Sequence, residues 1–291
     1  MRPLLACLLL SLPLTARADF ADHFARRDDI GMQKGPVLGK SRMLLIPVEV
    51  KGFAPFDMHA TRVFFESDEE LGLRNYYRVN SNGRWDFEAT VLDPVVFDKC
   101  PLPEDRFPGC KIARGDVNAL QPGLEMLREV LRRVDPVVHF RDYDINGLEG
   151  KPDGYADLVG IVTNTPFGGI ALPVFFVNNG DNLAGDTGGP FVLDGIKLGV
   201  VALGGNDKNG MVMLHEFGHS LGLTDLYAEN GTYPGTHFSA MGSWHYDYRP
   251  PLFDPETRFR MGWVTAKVVS GTVRAVLKPV AEGGDVYKLG T

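Results

Sequence analysis

Short apolar runs rich in branched side chains alternate with helical patterns along most of the chain. Residues 42–50 (RMLLIPVEV) form one such run, and three more lie at 157–164, 172–179 and 196–203. Runs of this length and composition predict buried β-strands. Since helical segments lie between them, the sequence predicts an α+β fold with a mixed, twisted sheet.

Polar caps and apolar spacing predict two helices. Ser67, with Glu70 three residues later, forms a capping box for a helix over residues 71–79, because each side chain can accept a backbone N–H bond at a helix start. Five apolar side chains fall at helical spacing over residues 120–134. This spacing is typical of an amphipathic helix with one face on a core.

Turn-forming residues separate these elements. Asn82-Gly83 predicts a turn that leads into a strand or hairpin over residues 85–97. Residues 231–251 are rich in Gly, Pro and aromatic side chains, and this composition predicts irregular structure. A smaller, irregular C-terminal lobe is therefore expected beyond an α/β lobe, and clefts commonly form at such junctions.

The two ends of the chain differ from its centre. Residues 1–18 combine a positive start, an apolar run and a small-x-small cleavage pattern, which predicts a signal peptide and a secreted protein. Residues 19–41 are expected to be an N-terminal extension or short pro-segment, and residues 42–265 the main domain of the chain. Residues 266–291 are expected to be the start of a C-terminal β segment. Because the chain ends within a strand pattern, a truncated segment is expected.

Composition limits the classes of partner. The chain has 291 residues, of which 44% are hydrophobic and 23% charged, as expected of a globular protein. Loss of the signal removes Arg2 and Arg17 and no acid, so the net charge changes from −7 to −9. An acidic chain offers no electrostatic basis for nucleic-acid binding. No later apolar stretch is long enough to span a membrane, and a monomer is expected.

Two cysteines remain after the signal is removed. Cys100 and Cys110 flank a short loop that is rich in Pro. In the oxidising environment of secreted proteins, such a pair is expected to form a disulfide.

The strongest chemical pattern is His-Glu-Phe-Gly-His at residues 215–219. Two histidines four residues apart lie on one face of a helix, so His215 and His219 can bind one zinc ion at about 2.0–2.1 Å. Glu216 lies beside that face, where its carboxylate can act as general base on a metal-bound water. The pattern indicates zinc-dependent hydrolysis.

Residues after the second histidine extend this pattern. Gly222 is placed to end the helix at positive φ, a conformation that is cheap only for glycine. Asp225 follows three residues later as the predicted third zinc ligand. Met241, in the sequence SAMG, matches the methionine turn that lies beneath the metal in metzincins. The spacing is the metzincin pattern with aspartate in place of the third histidine.

The chain resembles the immune inhibitor A family of secreted bacterial zinc metallopeptidases. The resemblance is carried by HEFGHSLGLTDLY, MGSW and FRMGWV, and more weakly by LRNYYRVNSNGRWDFEATV and MLLIPVEV, over residues 42–264. It implies a metzincin-like zincin fold, zinc as the catalytic metal, endopeptidase activity on proteins or peptides, and structural calcium.

Acidic side chains in RDYDINGLEGKPDGYADLVG are candidate ligands of that calcium. Asp142, Asp144, Asn146 and Asp153 fit the spacing of a twelve-residue calcium loop, and Asp157 follows shortly after. The residues LEGKP interrupt the acidic, Gly-rich turn of the family. Turn aspartates that bind no metal are therefore an equal alternative.

Two roles have more than one candidate. Glu229 or Glu256 could replace Asp225 as third ligand in a glutamate zincin, although neither fits the turn after the helix as well. Tyr246, beside His245, lies where metzincins place a group that hydrogen-bonds the tetrahedral intermediate. An aromatic wall of the cleft is the alternative interpretation of this pair.

The sequence thus predicts a secreted zinc metalloendopeptidase with residues 42–265 as its catalytic domain. Its substrate is expected to lie extended along a sheet edge, and residues 172–179 are the candidate edge. A secreted, non-catalytic metal-binding or adhesion module derived from a peptidase fold is the alternative. A purely structural zinc site does not need Glu216, so this residue favours the enzyme. A zinc hydrolase acting on a non-peptide bond of a small metabolite is a second alternative.

Overall fold

The computed structural model describes most of the chain between residues 36 and 290. The described residues are 36–70, 72–102, 104, 108–110, 120–147, 150–165, 171–175, 191–205, 212–223, 226, 238–242, 250–279, 282, 284 and 286–290. In chain order the elements are β1 (Gly39–Val50), α1 (Met58–Glu66), α2 (Leu73–Asn80), β2 (Trp85–Val91), β3 (Val95–Phe97), α3 (Leu120–Val134), β4 (Leu158–Thr163), β5 (Ala171–Phe175), β6 (Phe191–Leu193), β7 (Ile196–Leu198), β8 (Val200–Gly205), α4 (Val212–Ser220), α5 (Pro255–Arg260), β9 (Ala266–Val269) and β10 (Val286–Leu289).

A six-stranded, mostly parallel sheet forms the centre of the described part. Its order is β2-β1-β4-β8-β5, and β3 pairs with the last residues of β1. Four of the pairings are parallel, whereas β5 runs antiparallel to β8. The chain is therefore a mixed α/β structure, which is compatible with the predicted α+β class.

β1 lies inside the sheet because its sequence is apolar on both faces. Leu44, Ile46 and Val48 belong to one core, together with residues of α3. Met43 and Leu45 belong to a second core, together with residues of α1, α2 and α4. Parallel strands need such cover on both faces, because their connections place helices on both sides.

Several predicted elements are confirmed. The strand expected at 42–50 is β1, that at 157–164 is β4, and the amphipathic helix at 120–134 is α3. Asn82 and Gly83 form a turn, with φ of 52° and 70°. The turn leads into β2 and β3, which both pair in parallel with β1, so this segment is strand and not a hairpin.

The capping box predicted at Ser67 and Glu70 is wrong. Residues 58–66 already form α1, with Asp57 as the N-cap, and Ser67 ends that helix by donating its N–H to the last turn. The next helix begins after Gly72, where an added Cβ would meet three carbonyl oxygens at 3.0–3.3 Å. The two helices thus need a tight link that only glycine fits, and Ser67 ends one helix instead of starting the other.

The single strand predicted at 196–203 is two strands. Asp194 and Gly195 adopt φ of 53° and 80° and join β6 to β7 as a hairpin. An Asp-Gly pair is a strong hairpin signal, because both residues tolerate positive φ. Gly199 then separates β7 from β8, and β8 joins the main sheet.

Another predicted strand and the predicted disulfide can be compared with the structure. The strand expected at 172–179 matches β5 over its first residues, and 176–179 lie outside the described residues. The predicted disulfide is confirmed, since Cys100 and Cys110 are bonded, with their Cα atoms 5.7 Å apart. β9 and β10 form a separate parallel pair in the C-terminal segment. In the part of the chain that is described, no helix has the length and apolarity needed to cross a membrane.

Candidate metal centre

α4 carries the His-Glu-x-x-His residues within the second core. All nine of its residues are buried, as expected of a helix enclosed on every side. His215, Glu216 and His219 are only 5%, 4% and 4% exposed. Polar side chains at this depth need partners. The contacts of the two histidines therefore show whether the pair fits a metal ion.

Two glycines allow α4 to lie close to its neighbours. Gly160 of β4 faces the helix, and a Cβ there would lie 2.6 Å from Cζ of Phe217. Gly218 faces the segment that contains Met241, and a Cβ there would lie 2.5 Å from its Sδ. The helix is therefore packed tightly against both the sheet and this methionine.

α4 ends in the glycine turn that the sequence predicts. Gly222 has a φ of 82°, and its N–H donates to the carbonyl of His219 at 2.9 Å. The N–H of Leu223 donates to the carbonyl of Gly218 at 3.0 Å. These two bonds form a Schellman motif, which satisfies the last carbonyls of the helix and turns the chain back towards it.

Backbone carbonyls fix the orientation of both imidazoles. Nδ1 of His215 bonds to the carbonyl of Ala240, and Nδ1 of His219 bonds to that of Leu223, both at 2.9 Å. A carbonyl oxygen can only accept, so each Nδ1 carries a proton. In the neutral form of each ring, this leaves the lone pair on Nε2.

The two Nε2 atoms converge on one point. They are 3.2 Å apart, and the ring planes are 83° from parallel. Two nitrogen lone pairs held this close repel, unless the rings share a proton or a metal ion accepts both lone pairs. Two nitrogens bound tetrahedrally to one zinc at 2.0–2.1 Å are about 3.3 Å apart. The donor atoms and their separation therefore fit a zinc ion.

The segment 238–242 forms a turn next to α4, and its residues 239–242 are buried. The N–H of Gly242 donates to the carbonyl of Ser239 at 2.9 Å, and Met241 is fully buried. The Ser239 hydroxyl donates to the carboxylate of Asp254 at 3.0 Å, and Asp254 is also the N-cap of α5. The turn thus presents the carbonyl of Ala240 to His215 from an anchored position.

Four residues predicted for the site or as alternatives lie outside the described residues: Asp225, Glu229, His245 and Tyr246. Asp225 is flanked in sequence by described residues that bond to the site. Leu223 accepts the hydrogen bond of His219, and the N–H of Leu226 donates to the carbonyl of Met241 at 2.8 Å. Within the described ranges, no cluster of three or more His, Cys, Asp or Glu side chains could hold a metal.

Glu256, the other alternative ligand, lies in the first turn of α5. Its side chain is 58% exposed and pairs with Arg260 at 3.0 Å. The histidines, in contrast, are buried in the second core. This placement gives no support to Glu256 as a zinc ligand.

The candidate calcium ligands are joined by bonds to backbone N–H groups. The carboxylate of Asp144 accepts from the N–H groups of Asp153 and Gly154, both at 2.9 Å. The amide of Asn146 donates to the carbonyl of Leu38 at 3.0 Å. Such bonds are what turn aspartates without metal would make, and calcium binding stays a prediction.

Asp157, like Asp144, is buried. It accepts N–H bonds from Ile145, Asn146 and Arg42 at 3.1, 3.0 and 2.8 Å. Burial raises the pKa of Asp157 to about 6, although these three bonds act in the opposite direction. Asp142, in contrast, is exposed, and only its backbone carbonyl accepts a bond, from Arg42.

Sequence reasoning did not identify Tyr77. Its hydroxyl donates to the carbonyl of Leu214 in α4 at 2.6 Å. Burial raises the pKa of Tyr77 well above its usual range, and Tyr76 and the charge of Glu216 act in the same direction, so the hydroxyl remains a donor. No local pattern distinguishes this tyrosine from any other core residue. Gly160, in contrast, could have been found, because a glycine inside a strand signals a close approach.

The chain was compared with known proteins. No protein-family model matches it, and none of the curated proteins matches it. The function is therefore inferred from the geometry of the site and from the sequence pattern around it.

Proposed function

We propose that this protein is a secreted zinc-dependent endopeptidase with a metzincin-like site. One observation carries the proposal: the Nε2 atoms of His215 and His219 face each other at 3.2 Å, while both Nδ1 atoms donate to carbonyls. This arrangement matches two ligands of one tetrahedral zinc ion. Without a metal ion, the same contact would require a proton shared between the two rings.

Asp225 is the proposed third ligand. The Schellman turn at Gly222 reverses the chain directly after α4, and Leu226 bonds to Met241 in the buried turn beside the helix. Both facts support a position for residue 225 close to the histidines. Three protein ligands leave a fourth position open, as in catalytic zinc sites.

The proposed reaction is hydrolysis of a peptide bond. A zinc ion held by these residues would lower the pKa of a bound water towards about 7 and polarise the scissile carbonyl. Glu216 takes the proton of the attacking water and returns it to the leaving amine. Because Glu216 is only 4% exposed, little bulk water surrounds its carboxylate, and electrostatic interactions there are strengthened. Tyr246 stays a candidate for stabilising the tetrahedral intermediate.

The sheet supports an extended mode of substrate binding. β5 is the last strand of the described sheet, it runs antiparallel to β8, and α4 packs against both strands. A peptide can add to such an edge through backbone hydrogen bonds, which gives affinity with modest sequence preference. The predicted substrates are therefore extended segments of proteins or peptides.

Secretion is supported by two features of the chain. The first 18 residues have the pattern of a signal peptide. The bond between Cys100 and Cys110 is of the kind that persists in oxidising compartments.

The decisive experiment compares three variants of the exported protein in a casein-cleavage assay. Glu216→Gln should keep about one zinc per chain and lose activity by about 10²–10⁴-fold, because general-base catalysis typically contributes that much. His219→Ala should lose metal and activity together. Glu256→Gln is the control and should retain both, since its side chain is exposed and paired with Arg260.

The parent protein should lose activity with a zinc chelator and regain it when zinc is restored. A parent that binds zinc but cuts no protein would favour the binding-module alternative. A Glu216→Gln variant with activity within about tenfold of the parent would contradict the role of Glu216.

A further inference from the structure

A buried tyrosine of α2 contacts the backbone of α4 directly before the first histidine. The Tyr77 hydroxyl donates to the carbonyl of Leu214 at 2.6 Å across 137 residues of sequence. In an α-helix this carbonyl also accepts from the N–H four residues later, and its oxygen has a second lone pair for the tyrosine. The hydroxyl therefore adds a bond from outside the helix without replacing one inside it.

Besides its chain neighbour Tyr76, four aromatic rings enclose the side chain of Tyr77. Its ring centroid lies 5.3 Å from Trp85, 5.6 Å from Phe253, 6.1 Å from Phe87 and 6.4 Å from Trp263. Three of the four contacts are edge-on, which is a favoured geometry for aromatic pairs. A ring enclosed in this way cannot follow a shift of α4 without disturbing the core.

The same ring is connected to the turn that orients His215. Phe253 contacts Tyr77, and the neighbouring Leu252 accepts the N–H of Ala240 at 3.3 Å. The carbonyl of Ala240 in turn accepts the Nδ1 proton of His215. Tyr77 thus bonds to α4, which carries His215. It also packs against Phe253, next to the residue that bonds to Ala240.

We propose that Tyr77 is a positioning residue for the zinc ligands. Its hydroxyl holds the first turn of α4 at a fixed place relative to the turn 238–242. It thereby keeps Nε2 of His215 close to Nε2 of His219. The inference rests on the proposed function, because it concerns how the histidines bind zinc. No proton transfer is assigned to Tyr77, since its hydroxyl donates to a backbone carbonyl.

The test is Tyr77→Phe, which removes the hydroxyl and keeps the ring. Ser41→Ala is the matched control, because Ser41 accepts a hydrogen bond from Trp85 of the same aromatic cluster, at 2.9 Å. The zinc dissociation constant is measured by chelator competition, well below the Tm of each variant. The absorption spectrum of the cobalt-substituted protein and the kcat and KM for a peptide are measured in parallel.

Tyr77→Phe should weaken zinc binding by about 10- to 100-fold, the range for partners that orient metal ligands. It should also change the cobalt spectrum and lower kcat with little change in KM. Ser41→Ala should lower the Tm and leave the other readouts unchanged.

A Tyr77→Phe variant with the zinc affinity and cobalt spectrum of the parent would overturn the positioning role. So would a Ser41→Ala variant that weakens zinc binding equally, because the effect would then be one of general stability. A parent that binds no zinc would overturn the proposed function itself, and this role with it. The parent thus tests the function, and the comparison of variants tests the role of Tyr77.

Discussion

Gly218 determines how closely Met241 can approach α4. An added Cβ would lie 2.5 Å from the methionine Sδ, in a fully buried place. Gly218→Ala gains about 1 kcal/mol of helix propensity, whereas overpacking a core costs about 1–3 kcal/mol. We expect a net loss of up to about 2 kcal/mol in the free energy of unfolding, measured by urea denaturation.

The control for this prediction is the same substitution in a Met241→Ala background. There the sulfur is absent, so Gly218→Ala should become neutral or stabilising. Equal losses in both backgrounds would show that contact with Met241 is not the cause.

Asp157 should make stability depend on pH. Its folded-state pKa of about 6 lies above its usual value of 3.8, so the folded state holds more protons between these two values. The contribution of Asp157 to the free energy of unfolding should therefore be largest below about pH 4 and fall by about 3 kcal/mol as the pH rises through 6. Urea denaturation in calcium-free buffer at several pH values measures this change.

Asp157→Asn is the control, because an amide cannot titrate. Its stability differs from that of the parent by a constant offset plus the pH-dependent part due to Asp157. If the difference between parent and variant were constant from pH 4 to 7, the raised pKa would be wrong.

At the scale of elements, α1 protects the outer edge of β2. The N–H of Val91 donates to the carboxylate of Glu66 at 2.8 Å, and its carbonyl accepts from Arg62 at 2.6 Å. Val91 is 2% exposed, so a lost partner would leave a buried N–H unsatisfied. Charged side chains at an edge also prevent pairing with another chain.

Glu66→Ala should therefore lower the free energy of unfolding by about 1–3 kcal/mol and increase light scattering on storage. Glu256→Ala is the matched control, because Glu256 pairs with Arg260 four residues away, as Glu66 pairs with Arg62, but is more exposed. It should cost less than about 1 kcal/mol. Equal effects of the two substitutions would show that the edge bond contributes nothing beyond a surface ion pair.

At the scale of the whole molecule, the sheet separates two cores. α3 packs in one core, whereas α4, the aromatic cluster and Met241 belong to the other. Zinc that binds only the folded state would stabilise it by about 3–4 kcal/mol when free zinc exceeds the dissociation constant by about 100- to 1,000-fold. The effect should be largest in the core that contains the ligands.

Removing zinc with a chelator should lower the Tm and accelerate hydrogen exchange more in α4 than in α3. Amide exchange of the exported protein, with zinc and after chelation, measures both helices in one experiment. Restoring zinc should restore protection of α4. An equal acceleration in both helices, or none in α4, would contradict this prediction.

Local patterns were sufficient for the features that depend on neighbouring residues. Helical geometry places His215 and His219 on one face, and glycine adopts the positive φ at residue 222 without strain. Apolar runs were enough to predict β1 and β4, because each is buried over most of its length, and helical spacing was enough to predict α3. Composition and compartment were likewise enough to pair Cys100 with Cys110.

Tertiary structure alone decided which distant groups meet. Ala240 lies 25 residues after His215, and Tyr77 lies 137 residues before Leu214, so no local pattern pairs them. The division of residues 196–203 into β7 and β8 depends on which strand each segment meets, since an apolar run fits either sheet. Periodicity reports only that a side chain is buried. Its partner is set by the packing of the complete core, where many contacts must be satisfied together.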